Sequence, residues 1–269
     1  MKSWSAILRL RAGAPLAIAG DTLRQAYRQL LPGACLVLAL GFMVGAHALH
    51  SLNFGAAELK FLGDWGFGAI AFFGAALTIT TTAQLLLGGE ERAAAQMVLA
   101  KPVWRVEFIA GRYLGVAVMA GVFCAVLTTL LALQLYWRQG LLLRQFPQIF
   151  ADGGEVHFGT LLVSGFLQWL QLTVLAAFVL LVASFAESQL FAMGMGFVIW
   201  VGGQLRSLAP DPGPVAGLLP DFQLFAPLNP LTADGLPPWV YLGQIGLYAL
   251  GHIVTAVGLA VFVYRRRDL

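Results

Sequence analysis

Four groups of polar side chains stand at spacings that could do chemistry in a chain that is otherwise almost wholly apolar. Thr78, Thr81 and Thr82 recur at intervals of three and four, and so do Ser164, Gln168 and Gln171. Each set therefore marks one face of a helix. Such a face can tie neighbouring helices together by hydrogen bonds, or it can form a wetted wall of a substrate path. Both readings stand at this point. His252 is alone in its apolar run, with Tyr248 one turn earlier. That spacing predicts a hydrogen-bonded pair with a structural role. The fourth group is Glu90-Glu91-Arg92 with Lys101 and Arg105, set between two long apolar runs.

Other chemistries are excluded by what is missing. The sequence offers no Ser/His/Asp set, no His-Glu-x-x-His and no paired carboxylates inside an apolar run. No Asp, Glu, Lys or Arg stands clearly in the middle of a span, which argues against a proton- or sodium-coupled carrier. No G-x-x-x-x-G-K-[ST] occurs, so ATP is not expected to bind to this chain. Cys35 and Cys124 fall inside apolar runs and read as buried free thiols. Met193 and Met195 point to different faces of a helix, and no metal site is expected. Gly111 and Gly115, and Gly194 with Gly196, permit close helix packing.

The elements that must hold these residues follow from composition. The 269 residues are 59% hydrophobic and 11% charged, against about 25% charged in soluble domains. The length suits a single all-α transmembrane domain, 1–269, with six spans. Residues 1–31 are a basic tail and an amphipathic helix, expected to remain rather than to be cleaved as a leader. Asp21 is expected to cap that helix. Leu23, Ala26, Tyr27, Leu30 and Leu31 share its apolar face, opposite Arg24, Gln25, Arg28 and Gln29.

Spans one to five lie within 32–205, at about Pro32–Leu49, Trp65–Leu87, Phe108–Tyr136, Phe158–Ser184 and Gln189–Gln204. Arg138–His157 is read as an outer loop. Residues 206–238 hold eight of the twelve prolines yet are rich in Leu and Phe. They predict short broken helices folded over the extracytoplasmic mouth. Span six, Trp239–Tyr264, and a basic end complete 239–269.

Between spans two and three, Gly88-Gly89 breaks one helix and Pro102 ends the next. Glu90 and Glu91 occupy its first turn, where the helix dipole favours negative charge. The stretch predicts a short helix lying flat on one face of the bilayer. Twelve of the sixteen Lys and Arg residues fall on the side that carries this helix and both termini. The positive-inside rule makes that side cytosolic, in a cytoplasmic (inner) membrane. The charge of +3 is thus membrane-related and does not imply nucleic acid.

Leu99-Ala100-Lys101-Pro102-Val103-Trp104-Arg105, followed by Ala110-Gly111-Arg112-Tyr113-Leu114-Gly115, resembles the segment after the second span of type-2 ABC exporter permeases. Leu219-Pro220-Asp221-Phe222-x-x-Phe225-x-Pro227 and the terminal Arg265-Arg266-Arg267-Asp268-Leu269 resemble two further segments of that family. The resemblance implies that 1–31 forms an elbow helix and that the segment from Glu90 is a cytosolic coupling helix docked on an ATPase. Glu90, Glu91 and Arg92 would then make polar contacts, and Met97 and Leu99 would be apolar anchors. Lys101 and Arg105 would meet headgroups or an acidic rim. It also implies two ATPase subunits carrying ATP and magnesium, a second permease copy or homologue, and surrounding lipid. The threonine stripe of span two would line the export path. Two other functions fit the same residues: a membrane assembly or scaffold factor without a transport cycle, and an ion-coupled carrier.

Overall fold

The computed structural model describes residues 17–26, 29–46, 58–88, 104–145, 156–208, 219–226 and 239–265. Among the described residues the regular elements are all helical. They are α1 Ala17–Ala26, α2 Leu30–Gly45, α3 Glu58–Leu87, α4 Arg105–Gln145, α5 Phe158–Phe185, α6 Gln189–Leu205 and α7 Trp239–Arg265. Short 3₁₀ turns cover Arg206–Leu208 and Phe222–Phe225. Helices α3, α4, α5 and α7 are long and apolar enough to cross a membrane. Helix α6 has 17 residues. Helix α2, with 16 residues, spans about 24 Å, less than the roughly 30 Å of a hydrocarbon core. Joined to α1 it reaches span length, but as a pair bent by 64°.

Helix α5 is the axis of the bundle. It carries no charged residue, and it packs against α3, α4, α6, α7 and the Phe222–Phe225 turn. Close approach depends on small residues. A Cβ at Gly165 would come within 2.6 Å of the Thr128 hydroxyl of α4. Large apolar side chains at the periphery, such as Val37 of α2, Phe191 of α6 and Leu247 of α7, are exposed on the chain. A membrane-spanning bundle presents such faces to lipid, because no water is there to penalise them.

Helix directions follow from contacts at the two ends. Glu58, the first residue of α3, accepts a 2.6 Å charged hydrogen bond from Arg138 near the end of α4. At the opposite end Leu85 of α3 packs with Val116 of α4, and Phe108 of α4 stacks on Tyr264 of α7 at 6.2 Å. The end of α3, the start of α4 and the end of α7 therefore belong to one end of the bundle.

Several expected boundaries change. Helix α3 starts at Glu58 rather than near Trp65, and α4 continues to Gln145 rather than stopping near Tyr136. Glu58 and Arg138 satisfy each other, and Leu59, Leu62 and Leu142 are buried, so the polar overhangs stay helical. Arg138 and Arg144 consequently lie in helix and not in a loop. Asp21 does not cap the first helix. Asp21 lies inside the helix Ala17–Ala26, and its Oδ2 instead accepts a 3.3 Å bond from Gln25. Leu30 and Leu31 belong to α2 and do not continue the α1 face. Pro32 accounts for the break: its ring is tolerated in a first turn but would clash with the carbonyl four residues earlier in a continuous helix.

The proline-rich segment is described at 206–208 and 219–226, and the latter part is folded into the bundle. Phe222 and Phe225 are buried against α5, α6 and α7. Asp221 caps the turn by accepting from the Gln223 N–H at 3.0 Å. The Arg206 guanidinium donates to the Leu219 carbonyl, and Gln223 Nε2 donates to the Gln204 carbonyl at 3.0 Å.

Candidate functional site

The end of the bundle that carries the α3–α4 connection is organised by Arg112. Trp104 and Glu107 set the start of α4, where the Glu107 carboxylate accepts from the Trp104 backbone N–H at 3.1 Å. This is one half of a capping box. Two turns on, Arg112 is buried, and its Nη1 donates to Gln25 Oε1 of α1 at 2.9 Å. Its guanidinium lies 5.2 Å from the centroid of the Phe108 ring, one turn earlier on α4. Phe108 in turn stacks on Tyr264 of α7. Gly115 lets α1 approach, since a Cβ there would meet the Ala19 carbonyl at 3.2 Å as well as Thr22. Arg112 thus connects α1, α4 and α7 immediately beyond the 89–103 segment.

Glu90, Glu91, Arg92, Met97, Leu99 and Lys101 lie outside the described residues. Arg105 is the first residue of α4, and only its backbone is described. Sequence reasoning counted Arg112 as a flanking charge and missed its role in holding three helices. The available signal was Phe108 at one helical turn before it, a spacing suited to a cation over a ring.

The two polar stripes are enclosed by the chain itself. Thr78, Thr81, Thr82, Ser164, Gln168 and Gln171 are all buried. Thr82 Oγ1 donates to the Thr78 carbonyl at 2.6 Å, and Gln168 Nε2 reaches the Phe225 carbonyl at 3.4 Å. The hydroxyls of Thr78 and Thr81, Gln168 Oε1 and Gln171 Nε2 are buried without a hydrogen-bond partner among the described residues. Such groups are costly in a dry interior, at about 1–3 kcal/mol each.

Tyr248 and His252 are adjacent, with ring centroids 4.3 Å apart. His252 Nδ1 is 3.0 Å from the Tyr248 backbone carbonyl. The Tyr248 hydroxyl accepts from the Asp221 N–H at 2.8 Å and so anchors the 219–226 cap. The expected hydrogen-bonded pair is thus present, formed through the Tyr248 backbone carbonyl, which leaves the Tyr248 hydroxyl for the cap. Cys35 and Cys124 are buried free thiols, and no group of three or more possible metal ligands occurs among the described residues.

No curated protein matches the chain. The family described as ABC-2 family transporter protein matches residues 5–207, which include α1 to α6 and the connection between α3 and α4. The chain belongs to that family and is a multi-pass membrane permease component of an ABC transporter.

Proposed function

We propose that this chain is the permease subunit of an ATP-driven exporter. In this reading six helices, α2 to α7, cross the cytoplasmic membrane, with α1 as the elbow and both termini in the cytosol. The segment from Glu90 to Arg105 docks on one of two ATPase subunits, and a second permease copy or homologue completes the transporter. ATP and magnesium stay on the partners, and this chain hydrolyses nothing.

The observation that carries the reading is the Arg112 junction. A force applied to the 89–103 segment reaches α4 at its first turns, and the Gln25 and Phe108 contacts extend it to α1 and α7. That is what a permease needs to convert closure of ATPase partners into helix movement. The unpaired atoms of Thr78, Thr81, Gln168 and Gln171 support a path wall that becomes wetted when the bundle opens.

The test is co-expression with each P-loop ATPase encoded by a neighbouring gene. The expected result is a detergent-stable complex whose ATP turnover depends on the permease. If the chain purifies without any ATPase, and adding ATPase leaves turnover unchanged, the exporter reading is wrong.

A further inference from the structure

A groove of about 670 Å³ runs between α2 and α4, with Leu77 of α3 as its floor. The two helices rise side by side. Gly115 of α4 lies against Thr22 of α1, ahead of α2, and Gln134 of α4 donates to the Met43 carbonyl near the end of α2 at 3.2 Å. Small residues keep the groove open. Gly33 and Ala34 line its α2 side, and a Cβ at Gly33 would meet no atom within 4 Å. Val37 and Val122 on its two rims are exposed, so the groove faces the lipid.

The walls are apolar over almost their whole length, which calls for an apolar occupant. The gap is also narrow. Cα atoms of α2 and α4 come within 8 Å of one another, less than the roughly 10 Å width of a helix with its side chains. A hydrocarbon chain fits there and a helix does not. Gln29 is the one polar side chain among the lining residues, and it stands at one end. That end is the nearer to the Arg112 junction, because Gln25, one turn earlier, holds Arg112. Gln29 is the N-cap residue of α2, yet its side chain makes no capping bond. Its Oε1 is buried without a hydrogen-bond partner among the described residues. A carboxamide so placed costs stability, and it offers both a donor and an acceptor. The ester and hydroxyl groups at the head of a glycerolipid chain are the matching acceptor and donor.

From this combination we infer that the groove holds one acyl chain of a glycerolipid. The glycerol end hydrogen-bonds the Gln29 amide, and the chain lies over Leu77 toward Val37 and Val126. The inference does not depend on coupling to an ATPase.

The experiment uses the full chain in nanodiscs that contain phosphatidylglycerol with a diazirine in mid-chain. Photolabelled residues are mapped by mass spectrometry. Label should concentrate on Val122 and Val126 over Leu250 and Val254, although those two α7 residues are the more exposed. Gly33→Leu should fill the groove and remove that excess, and the open space at Gly33 lets the variant keep its fold. Lysophosphatidylglycerol should displace the probe from the groove, and hexadecane, which has no polar end, should not. Gln29→Leu should weaken displacement by the lysolipid about fivefold, the worth of one net hydrogen bond. Label on α7 should be unchanged throughout.

Label on Val122 and Val126 no higher than on Leu250 and Val254 would show ordinary lipid contact and overturn the inference, as would unchanged label in Gly33→Leu. If hexadecane displaces the probe as well as the lysolipid does, or if Gln29→Leu leaves the lysolipid unaffected, the glycerolipid assignment fails. Disulfide formation between Val37→Cys copies with loss of label would give the groove to a second chain, which also overturns it.

Discussion

Arg112 donates from Nη1 to Oε1 of Gln25 at 2.9 Å, and this bond fastens α1 to the start of α4 across 87 positions of sequence. A buried guanidinium deprived of an acceptor costs more than a surface bond, because water cannot replace the lost partner. Gln25→Ala and Arg112→Ala should therefore be non-additive. A double-mutant cycle on thermal stability in detergent is expected to give about 1–2 kcal/mol of coupling. A cysteine at Thr22, on the buried face of α1 against Gly115 of α4, should become reactive to a thiol reagent in either variant. Additive effects with Thr22→Cys still protected would show that packing at Gly115, not this bond, holds α1.

Glu58 and Arg138 make the corresponding contact at the other end, and both side chains are largely shielded. Removing one partner leaves the other charged and poorly hydrated. Glu58→Gln should lower stability by about 1–3 kcal/mol. The exchange Glu58→Arg with Arg138→Glu should recover most of that loss. If the exchange is no better than the single variant, the pair is a passive neighbour of the packing around Leu59 and Leu142.

Hydropathy placed α5, α6 and α7 within a residue or so, because their ends coincide with the ends of their apolar runs. It failed at α3 and α4, where a cross-helix ion pair lets helix continue through polar residues that a hydropathy window reads as loop. The role of Arg112 was not legible for the same reason, since its acceptor lies on another helix. Tyr248 and His252 were correctly read as neighbours. The bond from Asp221 to the Tyr248 hydroxyl depends on a cap whose position no local spacing encodes.

That cap supplies a further prediction. Gly203 is the seat of the 219–226 turn. A Cβ there would stand 2.8 Å from the Pro220 carbonyl and collide with the Phe222 ring. Gly203→Ala should push the cap off α6 and expose Phe222 and Phe225, at a cost of about 1–3 kcal/mol. Residues 219–226 should resist protease in intact membranes of the parent and be cleaved in the variant. Gly194→Ala, where a Cβ meets nothing within 4 Å, is the control expected to leave the pattern unchanged. Equal protection of Gly203→Ala would mean that the cap is held by the Tyr248 and Gln223 bonds alone.

Topology can be read by labelling. The basic residues are concentrated in the stretch 88–112 and near the two chain ends. Cysteines at Gly89 and Leu269 should be shielded from an impermeant thiol reagent in intact cells, and one at Gly213 should react. Labelling of Gly89 from outside would reverse the orientation and remove the 89–103 segment from contact with cytosolic ATP.

Met97 tests the coupling assignment itself. It lies in the segment between α3 and α4, whose flanking helices are fixed by Leu85, Val116 and Phe108 independently of it. If Met97 fills a pocket on an ATPase, Met97→Asp sets an unpaired charge in that pocket and costs several kcal/mol of association. The helices are untouched, so expression, insertion and the protection of Thr22→Cys should match the parent. Co-purification of the ATPase and permease-dependent ATP turnover should both be lost. The rival arrangement rests the apolar side of the segment on lipid, and there Met97→Asp alters only local membrane contact. A variant that still recovers stoichiometric ATPase with unchanged turnover places Met97 outside the contact. Loss of ATPase together with new reactivity at Thr22→Cys would instead mean that the substitution had disturbed the Arg112 junction, and the effect would no longer report on docking.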